Sequence, residues 1–411
     1  MNFISKGLFQ KHIVTSLLDT DAYKLHMMQA VWERYPSLEV EYEFICRSEE
    51  DLTELCGEIK TELQRLADLR FSDDQISYLR KISFMKPAFL DVLRNFRLDP
   101  ARCLSIGIEN DQLFIRCKGS WFATILFEIP VLAIVSEVRN RRRFPDMPDE
   151  LNREILYKKT RWLKQAVKDN DLEGHFFFAD FGTRRRFSAR TQSDMVQHMK
   201  REVPAMFVGS SNYHLAKEYG INAIGTQAHE WFQAHQSIVN VKNSLFEALE
   251  AWNRVYRGRL GIALTDCITT DAFLENFDYM FSKLFDGVRH DSGCPFVWGE
   301  KFITHYEKQG IDPLSKTLVF SDSLDFELAI KIACHFKGRI KTSFGIGTFL
   351  SNDMGDYVNQ DGVKYKPLNI VMKMTQCDGS PVAKISDEPG KSICKDPAYL
   401  ANLKRRFNVP A

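Results

Sequence analysis

No CxxC pair, no internal repeat of convincing period, no low-complexity tract and no excess of charge of one sign occur in this chain of 411 residues. Each absence removes a class of function. The formal net charge is +1, from 55 basic and 54 acidic residues, so no global field draws in nucleic acid or an anionic membrane. The nine cysteines are odd in number and scattered without metal-ligand spacing. They read as reduced thiols of a cytoplasmic protein. Residues 1–20 lack a basic segment followed by an apolar core and a small-residue cleavage site, so secretion is not expected. The most apolar stretch, residues 122–138, contains Glu128, Pro130 and Glu137. It reads as a buried element, too short to span a bilayer.

What is present suits an ordinary globular protein of more than one domain. Val40, Tyr42, Phe44 and Cys46 alternate with Glu39, Glu41, Glu43 and Ile45, which predicts a strand with one buried face. Leu52, Leu55, Ile59, Leu63 and Leu66 keep helical spacing and predict an amphipathic helix over 51–69. Runs at 103–108 and 113–117 flank Glu109-Asn110-Asp111, a hairpin turn. Residues 139–150, with Arg141, Arg142 and Arg143 before Pro145 and Pro148, read as a solvated connection. Residues 351–365, rich in Gly, Asn and Asp, read as a mobile flap.

From about residue 175 onward one event recurs. A short β-branched or aromatic run ends in a turn bearing Gly, Asp, Arg or His, at 176–180, 206–209, 223–225, 261–266, 288–291, 317–322 and 342–347, with 368–373 as a candidate eighth. Each run is followed by a stretch long enough for a crossover. That alternation predicts a (β/α) barrel, whose chemistry sits at the carboxyl ends of the strands. The expected organisation is an N-terminal α+β domain over 1–150, joined by a C-terminal segment at about 375–411, and an α/β barrel over 151–374.

The turns carry the chemistry. Gly345, Gly347 and Thr348 offer backbone N–H groups and a hydroxyl to an anion. Ser321, Asp322 or Ser323 caps the following helix, or Asp322 accepts from sugar hydroxyls and metal-bound water. Arg289 suits a planar carboxylate, with Asp291 beside it. Asp180-Phe181-Gly182 occurs in kinases, but no companion kinase motif accompanies it. In a barrel Phe181 is instead a stacking surface, and Arg184, Arg185 and Arg186 are anion ligands. His229 and His235 do not form HExxH, which excludes a zincin site. His229, with Thr226 and Glu230 nearby, is a candidate phosphoryl nucleophile whose tautomer a carboxylate can fix. Ser211 and Asn212 are neutral hydrogen-bonding groups that suit turn and cap roles.

Taken together, residues 18–25, 180–186, 225–232, 264–267, 289–293, 320–322, 345–348, 366–369 and 384–387 resemble the nicotinate phosphoribosyltransferase family, in its enteric-bacterial form. The resemblance implies a type II phosphoribosyltransferase fold: an irregular α/β barrel plus a second α+β domain built from both ends of the chain. It implies a cytoplasmic homodimer with active sites at the interface. The substrates would be nicotinate and 5-phosphoribosyl-1-pyrophosphate, with Mg²⁺, and with ATP hydrolysed in a ligase-type coupling. Residue by residue, Tyr23 would stack on the pyridine ring from the neighbouring subunit, and Phe181 would meet the other face. His229 would be the phosphorylated histidine, and Asp291 and Asp322 would share the catalytic work. Thr226, Arg289, Gly345, Gly347 and Thr348 would contact nicotinate or ribose phosphate, and Arg184 would bind phosphate. No residue is assigned as a direct metal ligand. One departure is Cys294, where the family often has a second aspartate. Nicotinamide-using relatives carry an aspartate near Ser211, so a neutral wall here favours the acid. The alternatives are a nicotinamide phosphoribosyltransferase and a catalytically inactive nucleotide-binding relative. The whole reading requires His229, Arg289 and Gly347 to face one cavity.

Overall fold

The computed structural model describes residues 9–388 and 392–409. Twelve strands lie among them: β1 (Glu39–Cys46), β2 (Leu104–Glu109), β3 (Gln112–Ser120), β4 (Phe178–Asp180), β5 (Phe207–Ser210), β6 (Asn222–Ala223), β7 (Ile262–Leu264), β8 (Gly287–His290), β9 (Thr317–Phe320), β10 (Lys341–Ile346), β11 (Ile370–Cys377) and β12 (Ser380–Pro381). They form two sheets. One is antiparallel, in the order β12-β11-β1-β3-β2, and the other is parallel and seven-stranded, in the order β6-β5-β4-β10-β9-β8-β7.

The antiparallel sheet follows from its patterns. Val40, Tyr42 and Phe44 are buried on β1, while Glu39 is exposed and Glu41 and Glu43 are half-buried. Asn110 and Asp111 have φ of 50° and 56°, the left-handed pair that a two-residue hairpin between right-twisted strands requires. Leu52, Leu55, Ile59, Leu63 and Leu66 are all buried. The helix expected over 51–69 is α-helical only at Cys56–Gln64, with 3-10 turns at Thr53–Leu55 and Arg65–Asp68.

The seven parallel strands match the first seven predicted runs. The eighth does not join them: residues 370–377 form β11, antiparallel to β1, with Tyr42 opposite Met374. The physical reason lies in its burial. Ile370, Met372 and Met374 are buried while Val371 and Lys373 are half-buried, the alternation of a one-sided antiparallel strand rather than of a barrel strand covered on both faces. The curled parallel sheet is therefore a half-barrel. Among the described residues no ladder joins β6 to β7; the Thr226 hydroxyl donates to the Ile262 carbonyl across that gap at 2.7 Å.

One hydrophobic core runs through both sheets. The helical segment Trp121–Arg143 is long and apolar enough to cross a membrane, contrary to the length expectation, but 89% of its apolar window is buried inside the molecule. It is a core helix. Its last turns overturn the solvated-connection reading of 139–150. Arg139 is 4% exposed and clamps Glu50 through two bonds of 2.7 Å. Arg141 and Arg143 pair with Glu137 and Glu54. In the segment read as a flap, Met354 and Tyr365 pack with Phe144, Met147 and Phe187 in a second apolar cluster.

Candidate active site

The carboxyl ends of the parallel strands open, beneath β1 and β11, onto a cavity of about 680 Å³. His229, Arg289 and Gly347 all line it, as do Tyr23, Phe181, Arg184, Ser211, Asp291, Asp322 and Thr348. Turns far apart in sequence thus converge, because each strand delivers its last residues to the same rim. Two predicted residues do not reach the cavity. The Thr226 hydroxyl is spent on Ile262. Gly345 lies under Phe181, where a Cβ would sit 2.4 Å from two ring carbons. Its bareness lets the ring lie flat on β10.

His229 begins the helix His229–Ile238 and is 6% exposed. Its Nε2 lies 2.8 Å from Asp266 Oδ1 and 3.6 Å from Asp291 Oδ2. Asp266 Oδ2 accepts from Ser292 Oγ at 2.6 Å and from Lys384 Nζ at 2.9 Å. Burial and the Lys384 ammonium push His229 down to about 4, against the pull of Asp266, so the imidazole is neutral at pH 7. Burial opposes ionisation of Asp266, yet Lys384 and His229 hold it well below the usual carboxylate range. The carboxylate that orients His229 is therefore Asp266. Glu230, next in sequence, turns away to Lys24 and Tyr42.

The three arginines after Phe181 divide by environment. Arg186 is 1% exposed and forks onto both oxygens of Asp19 at 2.7 Å, with further bonds to Ile13 and Gln192. It is a structural ion pair. Arg184 faces the cavity with Glu128 at 3.8 Å, and Glu128 in turn holds the fully buried Lys24 at 2.5 Å. Arg185 lines the cavity too; burial and the charges of Arg184 and Arg47 bring it down to about 10. On β11, Lys373 is lowered to about 8 by burial and by Lys384, offset by Glu128. Basic side chains thus share the rim with the carboxylates of Asp21, Glu128, Asp291 and Asp322. Arg289 lines the cavity, and its Nε is buried with no hydrogen-bond partner among the described residues.

Two further expectations change, and Tyr23 lines the cavity of its own chain. Asp21 bridges to Asn212, and Ala22 N donates to Ser211 O at 2.6 Å, pinning this helix start to its own half-barrel. The wall at Ser211 is not neutral, because Ser211 Oγ donates to Asp21 Oδ1 at 2.6 Å and Asp21 lines the cavity. The helix after β9 is capped by Asp325, which accepts from Leu328 N, so Asp322 is not its cap.

Two family descriptions match this chain: the N-terminal domain of the nicotinate phosphoribosyltransferase (NAPRTase) family over residues 18–136, and that family itself over residues 176–411. A relative from Pseudomonas aeruginosa named nicotinate phosphoribosyltransferase 1 is 53% identical over 409 residues, covering 99% of this chain and 100% of the relative. One from Vibrio parahaemolyticus, named nicotinate phosphoribosyltransferase, is 51% identical over 409 residues, covering 98% and 94%. A crystal structure of nicotinate phosphoribosyltransferase from Vibrio cholerae superposes with a TM-score of 0.96 at 48% identity, covering 98% of this chain and 96% of the other. That from Porphyromonas gingivalis gives 0.88 at 34%, covering 96% and 100%.

The chain belongs to the nicotinate phosphoribosyltransferase family.

For this member of the family, sequence reasoning left Asp266, Lys384, Asp21, Glu128, Lys24 and Arg47 without a role. Asp266 had a signal: it closes one of the recurring strand-end runs. Lys384 stands in the 384–387 string. Lys24 and Glu128 sit in helices whose neighbours are apolar, where an unbroken charge implies a buried partner.

Proposed function

We propose that this chain transfers the phosphoribosyl group of 5-phosphoribosyl-1-pyrophosphate to nicotinate, forming nicotinate mononucleotide and pyrophosphate in cytoplasmic pyridine-nucleotide salvage. The observation that carries the reading is the convergence of a stacking ring, guanidinium donors, carboxylates and a glycine turn on one cavity. Phe181 and Tyr23 offer aromatic faces to a pyridine. Arg289 supplies the unspent donor for its carboxylate. The pyridine nitrogen attacks the anomeric carbon with its own lone pair as the bond to pyrophosphate breaks, so no strong general base is needed. Rate comes from positioning and from charge. Asp291 and Asp322 face the sugar, where carboxylates favour an oxocarbenium-like state. Arg184, Arg185, Gly347 and Thr348 receive phosphate oxygens.

The carboxylates fit Mg²⁺ in part. His229, Asp266 and Asp291 bring ligand atoms within 4.8 Å of one another, but Lys384 already neutralises Asp266. Asp291 and Asp322 would therefore hold the ion through its waters, consistent with its reluctance to dehydrate. When bound, the ion neutralises the departing pyrophosphate.

ATP hydrolysis is coupled through phosphorylation of His229: the neutral ring attacks the terminal phosphorus, ADP leaves, and water later cleaves the phosphohistidine. The added charge reorders the site and raises substrate affinity. A homodimer with its sites at the interface belongs to the same proposal, and light scattering tests it. His229→Ala is expected to abolish stimulation by ATP while some transfer persists; normal stimulation of that variant removes the assignment.

A second acceptor, nicotinamide, draws on Asp21, a buried carboxylate beside Ser211 that can accept from an amide. Arg184 counters its charge. Parallel turnover of acid and amide, read by pyrophosphate release, separates the two.

A further inference from the structure

The loop that carries Lys384 also holds a strained residue with no role so far. Ser386 has φ of +77°, a left-handed backbone that costs an L residue energy and persists only when its surroundings impose it. They do. Lys384 and Ile393 exchange backbone bonds of 3.0 and 2.7 Å, and Ile385 N donates to Cys267 O at 2.9 Å. On the other side Asp387 N donates to Ser292 Oγ at 3.2 Å, and the Asp387 carboxylate accepts from Thr270 N at 2.7 Å. The strain is held in place from both flanks.

Ser386 lines the cavity and is 5% exposed, yet its hydroxyl has no hydrogen-bond partner among the described residues. A buried hydroxyl left unpaired is costly, and here it coincides with a strained backbone. Asp266, the carboxylate that Lys384 of the same loop contacts, already takes bonds from Ser292, Lys384 and His229. What is missing is an acceptor that enters from the cavity. The Lys384 ammonium in the same loop favours that acceptor being an anion.

We propose that the Ser386 hydroxyl donates to a phosphoryl oxygen of the substrate, bound beside His229. This rests on the reading that the cavity takes a pyrophosphorylated ribose. The phosphoryl oxygen has two sources, the pyrophosphate of the sugar donor and the phosphoryl group that ATP delivers to His229, and one experiment divides them.

Ser386→Gly removes the hydroxyl and relieves the left-handed strain; Ser386→Ala removes the hydroxyl and keeps it. Both variants are assayed for thermal unfolding, for KM toward each substrate, for pyrophosphate binding by calorimetry and for labelling by ATP. The Gly variant is expected to unfold at the parental temperature or higher. Its KM for the sugar donor and its Kd for pyrophosphate rise about tenfold or more, as for one lost charge-assisted bond, while KM for nicotinate stays put. If pyrophosphate binding is unchanged and labelling by ATP falls instead, the phosphoryl group on His229 is the source. Parental values in every assay, or an equal loss of nicotinate affinity in both variants, overturn the assignment. A parent enzyme that neither binds pyrophosphate nor is labelled by ATP sinks the functional reading, and Ser386 with it. A competent parent with a silent Gly variant sinks Ser386 alone.

Discussion

Asp266 holds His229 with one oxygen and is itself held by the other: Oδ1 lies 2.8 Å from His229 Nε2, while Oδ2 accepts from Ser292 and Lys384. A carboxylate kept ionised accepts and does not donate. The proton of the neutral ring therefore resides on Nε2, and the lone pair on Nδ1. Asp266→Asn replaces a pure acceptor with a group that both donates and accepts, so the tautomer is no longer fixed. Formation of phosphohistidine from ATP is expected to slow by on the order of 10²-fold or more, with nicotinate KM unchanged. Rapid-quench labelling measures it, and a parental rate would mean that Asp266 does not set the ring.

The charge of Lys384 acts on the same ring with the opposite sign. Burial and Lys384 together take His229 to about 4. Below that pH the imidazole binds a proton and loses its nucleophilic lone pair, so the acid limb of phosphoenzyme formation in the parent lies near 4. Lys384→Met leaves Asp266 and Asp291 unopposed, which favours the imidazolium. The acid limb is expected to move to higher pH, read from labelling rates across pH 4–8. Stability shifts in a defined direction as well. Between about 4 and 6.5 the folded parent binds fewer protons at His229 than the unfolded chain, so the contribution of His229 to stability declines as pH falls through that window. Raising the folded value narrows the window.

Arg186 and Arg184 stand two residues apart and are expected to fail differently. Arg186→Met strands the Asp19 carboxylate, which lies buried and keeps a side-chain hydrogen bond from Asn212. An uncompensated buried charge costs about 3–5 kcal/mol, so urea unfolding should shift by that order. Arg184→Met removes a group that is 37% exposed and faces the cavity. It should cost less stability than Arg186→Met and raise KM for the sugar donor. Equal stability losses in the two variants would return Arg184 to a structural role.

The sequence displays its barrel strands because each is a short apolar run that stops at a residue able to turn, and a buried parallel strand has little other pattern to offer. Those stops are also where His229, Arg289, Asp291 and Gly347 sit, so strands and site became legible together. Leu368–Lys373 has the same composition as a barrel strand; its pairing with β1 and its alternating burial, neither legible in the sequence, set β11 apart. Arg139 reads as a surface arginine and Arg186 as an anion ligand until Glu50 and Asp19 are brought to them from distant segments. The sequence places Glu230 next to His229, but the carboxylate that orients the ring, Asp266, lies 37 residues away. Helical geometry turns Glu230 off the His229 face, since adjacent residues on a helix do not share one. Ser386 stands in the 384–387 string, but its strained backbone is not legible there, because that strain is imposed by anchors on either side.

Gly345 tests whether the stacking surface is built by an absence. Its strand, β10, pairs with β4 at Ala179 and lies in the middle of the parallel sheet, so its backbone has no room to retreat. A Cβ there would meet two Phe181 ring carbons at 2.4 Å and a third at 2.9 Å, well inside van der Waals contact. Gly345→Ala therefore forces the ring to move or the strand to strain. Overpacking of this kind costs about 1–3 kcal/mol when the neighbours cannot yield. Phe181 borders the cavity on its other side, so the ring yields toward the space proposed for nicotinate. The expected result is a higher KM for nicotinate with that for the sugar donor unchanged, alongside a loss of stability smaller than the full overpacking cost. An intermediate stability loss with parental nicotinate KM would show that the ring relaxes elsewhere, and Phe181 would no longer serve as the pyridine platform.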